Sequence, residues 1–177
     1  GEVPASHLRG IVDYVLIGHS ERRYLFAESD RDIRAKVQAV LRNRMQPVLC
    51  IGETLQERMI GETRDVLSDQ LTNGLANVTA DELTDVIVAY EPVWAIGTGE
   101  FARPDDVTQA ATVIRRHIGQ LFGKKAAEGV RILYGGSVTV DNAADYLAIS
   151  EIDGLLVGGT SLKAQQFAEI ITMAHKA

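Results

Sequence analysis

Short apolar runs alternate with longer amphipathic stretches along the whole chain. The runs are Tyr14–Ile17, Pro47–Ile51, Val86–Tyr90, Val130–Tyr134 and Ile152–Val157, each a continuous rather than an alternating stretch, broken only by Arg131 and Asp153. Such runs are the pattern of parallel strands covered on both faces. Between them, Arg31–Arg42, Thr63–Leu75, Pro104–Phe122, Asp141–Ala148 and Leu162–Ala174 place apolar residues at helical spacing. Pro104 followed by Asp105 and Asp106 predicts a helix start, because proline suits the first turn and acids favour the positive end of the helix dipole. Asp141-Asn142 predicts a capped start for the next helix. Strand–helix alternation with right-handed crossovers gives an α/β fold on a parallel sheet, as one domain over residues 1–177.

Polar and glycine residues gather where each run ends: Gly18-His19-Ser20, Gly52-Glu53-Thr54, Glu91-Pro92, Gly135-Gly136-Ser137 and Gly158-Gly159-Thr160-Ser161. In barrels and open sheets alike, the carboxyl ends of the strands form the ligand-binding face. The paired glycines after the last two strands suit an anion held by bare backbone N–H groups, with plain turns as the alternative. The third run ends on Glu91, followed by the stiff Pro92-Val93-Trp94 and a small-residue tip containing Gly97 and Gly99. One reading is a general base with a hinged lid that excludes water. The other is a strand-end glutamate before an ordinary turn.

Composition narrows the classes. The 177 residues are 46% hydrophobic, enough for one domain with a sizeable core. A net charge of −6 argues against nucleic acid or an acidic membrane as partner. The single cysteine, Cys50, lies within an apolar run, so a packed small hydrophobe in a reducing, cytoplasmic setting is expected. No apolar run approaches a membrane span. A Schiff-base aldolase would need a lysine at a strand's carboxyl end, yet Lys36, Lys124, Lys125, Lys163 and Lys176 fall in or beside helical segments. A metal enzyme would need clustered ligands there, and His19 stands alone.

The segments Ile17–Arg23, Leu49–Thr54, Ala89–Gly99 (AYEPVWAIGTG), Ile132–Ser137 and Val157–Gly159 occur in one order with sensible spacing. The chain thereby resembles the triosephosphate isomerases over essentially its whole length. That resemblance implies a (β/α)8 TIM barrel in the complete protein, with about five of its eight units, the fourth to the eighth, in this chain. It also implies interconversion of dihydroxyacetone phosphate and D-glyceraldehyde 3-phosphate, in glycolysis and gluconeogenesis, through an enediolate. Glu91 would be the base, and His19 the electrophile that polarises the carbonyl. This pairing is taken over from the family, in which it is the standard example of two groups tuned to opposite roles. Ser20-Glu21-Arg22-Arg23 reads as a helix N-terminus, whose positive end disfavours a charged His19. Glu21 would either support the proton relay or cap the site.

By the same resemblance, Pro92, Val93 and Trp94 form one hinge of the lid, Ala95, Ile96, Gly97, Thr98 and Gly99 its tip, and Glu100–Ala102 the other hinge. Backbone N–H groups of Gly97, Ser137, Gly158 and Gly159 would grip the substrate phosphate. Glu53 would anchor neighbouring loops through an ion pair with Arg22 or Arg58, and His7, His117 and His175 are surface or helix residues. The family implies a small phosphorylated triose as ligand, no cofactor, no metal, and a homodimer in the complete protein.

The sequence also departs from the family. The Asn and Lys at the end of the family's first strand, the Lys being the main cation beside the substrate, have no counterpart here. Of the loop that makes most of the dimer contact, at most Gly1-Glu2-Val3 remains. A complete barrel takes about 250 residues. Two expectations follow. These 177 residues by themselves would be an incompetent isomerase, serving only as a folding or assembly module. Alternatively, the parent protein is complete and this sequence is part of it, the reading favoured by motifs that all look intact for catalysis.

Overall fold

The computed structural model describes residues 2–97 and 100–175. Gly1, Thr98 and Gly99, expected in the lid tip, and Lys176 therefore lie outside the described residues. Five strands, β1 (Tyr14–Ile17), β2 (Gln46–Ile51), β3 (Ile87–Tyr90), β4 (Arg131–Tyr134) and β5 (Gly154–Leu155), pair in parallel and in chain order. Helix α1 (Ala5–Leu8) precedes β1. The crossovers are α2 (Ser20–Leu25) with α3 (Asp30–Arg42), α4 (Leu55–Met59) with α5 (Thr63–Gly74), α6 (Pro104–Phe122) with α7 (Lys124–Gly129), and α8 (Val140–Leu147). Helix α9 (Ala164–Ala174) follows β5.

Every expected strand and helix is present, with small shifts at the ends. The fifth run shortens to two residues, although Asp153 N–H to Ile132 O and Leu156 N–H to Tyr134 O, both 2.8 Å, carry its pairing further. Helix α6 begins at Pro104, with Asp106 accepting the Arg103 N–H at 3.3 Å, and ends at Gly123 with φ +92°. Its buried Val107, Ala110, Ala111, Ile114 and Ile118 form one helical stripe toward the sheet. The start of α8 differs from expectation. Thr139 is its cap, and Asn142 accepts the Thr139 N–H at 2.8 Å rather than opening the helix itself. Helix α4 was not evident from periodicity because it is only five residues long; the reciprocal cap between Thr54 and Glu57 starts it.

Strand register sorts the core into two layers. Ile17, Leu49, Ile51, Val88, Tyr90, Ile132 and Tyr134 face the helices in the larger cluster. Val48, Cys50, Ile87 and Ala89 form the inner one, with Leu133 and Leu156 against them. Coverage on both faces fails at β1, where Tyr14 and Leu16 are 51% and 49% exposed. The cause is topological: β1 and β5 are the sheet's two edges, so the inner face is not closed on the β1 side.

Candidate active site

All four residues of β3 are buried, and the strand delivers Glu91 to its carboxyl end. Glu91 N–H donates to Ile51 O and Gly135 N–H to Tyr90 O, each at 2.8 Å, so pairing continues past the regular strands. Alternation along the strand turns Glu91 to the same inner side as Ala89. There it is 2% exposed. Its two strand neighbours are glycines. A Cβ on Gly52 would fall 1.8 Å from the Glu91 carbonyl oxygen, and one on Gly135 would fall 3.0 Å from Glu91 Cγ. Bare backbone on both sides is what admits a carboxylate at this depth.

His19 reaches the same point from β1. Gly18, at φ +71°, turns the chain, and His19 becomes the N-cap of α2. Its Nδ1 accepts the Glu21 N–H at 3.4 Å, while Nε2 lies 3.2 Å from Glu91 Oε1. A nitrogen that accepts carries no proton, so the neutral ring holds its proton on Nε2, facing the carboxylate. Ser20 N–H donates to the other oxygen, Glu91 Oε2, at 3.3 Å. The Glu21 side chain is exposed, and what this residue brings to His19 is its backbone N–H. Cys50 is fully buried, and burial together with Glu91 pushes its thiol well above the ordinary range, as suits a packed residue rather than a nucleophile.

Burial raises the Glu91 carboxyl above its ordinary 4.5, outweighing the opposing pull of His19, the Ser20 N–H, Cys50 and Arg23. The folded state therefore holds this proton more firmly than the unfolded state. Stability from that preference is fully present below the ordinary carboxylate value and is lost as pH rises through the raised one. Glu91→Gln removes the titration. Unfolding midpoints measured from about pH 4 upward should shift steadily in the variant's favour relative to wild type. A constant gap across that range would contradict the raised value.

The cleft beside this pair has a volume of about 410 Å³ and is walled by His19, Glu91, Ile96, Gly97, Ser137, Gly158, Gly159 and their neighbours. Gly97 has φ +68° and stands exposed at its mouth. The Ser137 hydroxyl donates to Ala95 O, tying the segment after β3 to the loop after β4. Thr160 Oγ1 donates to Val138 O at 2.7 Å, joining the two glycine loops to each other. Pro92 and Ala95 are buried, and Val93–Ala95 form a 3₁₀ turn.

Glu53 holds the base of that turn. It is fully buried and accepts Trp94 Nε1–H at 2.9 Å and Tyr90 O–H at 3.2 Å, while its backbone carbonyl accepts the Val93 N–H at 3.0 Å. Burial raises its carboxyl, against these donors and Arg58. Of the two expected ion partners, Arg58 lies 3.9 Å away, stacks 4.4 Å over the Trp94 ring and bonds Asp106 at 2.9 Å. Arg22 is not a partner of Glu53; it pairs with Glu28 and Glu2 on the far side of α2. The motif suggested a salt bridge, but a carboxylate this buried is served mainly by hydroxyl and indole donors, which sequence spacing does not reveal. His7 and His175 are exposed, and His117 on α6 bonds Thr72 at 2.7 Å, all away from the cleft.

Fold and cleft together define an α/β protein of the TIM-barrel pattern, with five strand–helix units in an open sheet. The sequence model described as triosephosphate isomerase matches residues 1–174. Triosephosphate isomerase of Caldanaerobacter subterraneus is 48% identical over 97% of this chain and 69% of its own length. That of Citrifermentans bemidjiense is 50% identical over 97% and 68%, and that of Fusobacterium nucleatum 49% over the same shares. The chain belongs to the triosephosphate isomerase family. Among the described residues, no helix is long and apolar enough to cross a membrane.

Proposed function

We propose that this cleft interconverts dihydroxyacetone phosphate and D-glyceraldehyde 3-phosphate through an enediolate. One observation carries the reading: a nearly fully buried Glu91 carboxyl group lies 3.2 Å from His19 Nε2, in a cleft rimmed by glycine loops. Substrate replaces the His19–Glu91 contact. Glu91 then takes the proton from the carbon beside the carbonyl, while Nε2–H donates to the carbonyl oxygen as charge develops on it. Return of the carbon proton one position over, with a proton exchanged between the two oxygens through His19, completes the isomerisation. Burial makes Glu91 a stronger base than a surface carboxylate, so the acid limb of the rate profile falls above the ordinary carboxylate value.

The substrate phosphate is gripped by backbone N–H groups of Gly97, Ser137, Gly158 and Gly159. Among the described residues the cleft wall carries no lysine or arginine, and net charge is −6, so attraction for the anion rests on local dipoles. Pro92–Trp94 act as the hinge and Ala95–Gly97, with Thr98 and Gly99, as the tip of a lid that excludes water and protects the enediolate from phosphate loss. The half-exposed Tyr14 and Leu16 favour a second reading for these 177 residues alone, a module that assembles with further strands before full activity appears. Incubation with dihydroxyacetone phosphate in deuterated water distinguishes them. Deuterium entering the substrate carbon, and absent with Glu91→Gln, supports the isomerase reading; no exchange at saturating substrate leaves only the module.

A further inference from the structure

We propose that Gln70 is a positioning residue that fixes the base and the lid hinge together by clamping the Gly52 peptide. The inference rests on the isomerase reading for its effect on rate, but its effect on the hinge stands without it. β1 pairs with β2 only as far as Leu49, so Cys50, Ile51 and Gly52 run past the end of their neighbour. Side chains take over the missing strand's hydrogen bonds there. Arg23 donates to Cys50 O at 3.2 Å and to Gly18 O at 2.8 Å. Gln70, from α5, makes both bonds available to one residue: Gly52 N–H donates to its Oε1 at 2.8 Å, and its Nε2–H donates to Gly52 O at 3.2 Å. A single amide thus imitates a strand partner.

What Gly52 touches makes this clamp consequential. On one side its Cα lies so close to the Glu91 carbonyl that no side chain fits between them. On the other side it is bonded to Glu53, whose carboxylate holds Trp94 and Tyr90 and whose carbonyl holds Val93. A shift of the Gly52 peptide is therefore passed to the backbone of the base and to the lid hinge at once. Small displacements of that kind are felt in rate, because the base must meet the carbon proton at short range.

Gln70→Met keeps the length and apolar stem but removes both bonds; Gln70→Glu keeps the acceptor for Gly52 N–H and serves if the first variant folds poorly. Trp94 is the only tryptophan, so its emission and its quenching by acrylamide report the hinge directly. The expected result is greater quenching of folded Gln70→Met than of wild type, with Gln70→Glu between them. Where exchange or turnover is measurable, kcat should fall about tenfold with a smaller change in KM, because Ser137, Gly158 and Gly159 of the phosphate grip lie on loops that the clamp does not touch. A role confined to stability would lower the unfolding midpoint yet leave Trp94 quenching of the folded variants as in wild type, and that outcome overturns the proposal. If wild type itself shows no exchange, the isomerase reading fails, and the quenching comparison still decides whether Gln70 holds the hinge.

Discussion

Glu91→Asp will lower the isomerisation rate by about a hundredfold or more, equivalent to about 2.7 kcal/mol of transition-state stabilisation. The carboxyl group is kept, so the loss comes from distance alone. Shortening the side chain by one methylene draws both oxygens back toward β3, away from His19 Nε2 at 3.2 Å and from the Ser20 N–H at 3.3 Å. Backbone cannot follow, because Glu91 N–H is bonded to Ile51 O and the Glu91 carbonyl is packed against Gly52. KM should change little, since the groups proposed to grip the phosphate lie across the cleft on Gly97, Ser137, Gly158 and Gly159. Steady-state kinetics, with solvent deuterium exchange as a second readout, checks this. A variant retaining kcat within about tenfold of wild type would place the base elsewhere.

Gly52→Ala is expected to be the most damaging small substitution at the site. The added methyl would stand 1.8 Å from the Glu91 carbonyl oxygen, and because that atom is backbone, no side-chain rotation relieves the overlap. Either β2 and β3 part at their carboxyl ends or Glu91 is pushed from its place. A destabilisation of about 3 kcal/mol or more follows, at the upper end of overpacking effects. For a chain of this size that lowers the thermal midpoint by roughly 6–12 °C. Gly129→Ala is the control, because its added methyl meets nothing within 4 Å and the residue lies within helix α7. Calorimetry should separate the two clearly. Equal midpoints would mean that β2 and β3 can move apart at little cost, and the tight seating of Glu91 would have to be given up.

The open β1 edge bears on how both experiments are read. Leu16 belongs to the inner face and also borders the cleft, yet it is half exposed. Further strands paired to β1 would cover it and desolvate His19, whose side chain is 31% exposed beside a Glu91 side chain at 3%. Drier surroundings strengthen every electrostatic contact in such a site. Rates measured on these 177 residues and on a closed barrel should differ for that reason, while the ratio between wild type and Glu91→Asp should persist.

Much of the architecture was readable from local pattern. Continuous apolar runs marked the strands, and Pro104 with its following acids marked the start of α6, because hydrophobic period and capping act over a few residues. The run ending on Glu91 pointed to a carboxylate at a strand's carboxyl end, and the polar and glycine residues after the strands pointed to the face where it lies. Helices as short as α4 and α7 escaped notice because fewer than two turns show no period.

What sequence alone determined, then, was the type and order of the elements, the carboxyl-end placement of His19, Glu91 and the glycine loops, and the family to which they are similar. Only tertiary structure decided which groups meet. Ser20 and Glu91 are 71 positions apart, Trp94 and Glu53 are 41, and Gln70 and Gly52 are 18. Their contacts depend on strand register and helix packing, which sum many weak terms over the whole core and leave no trace in any short window. Arg22 shows the difference: adjacent to the histidine motif in sequence, it turns away to Glu28 and Glu2, and Arg58 from α4 takes the place beside Glu53.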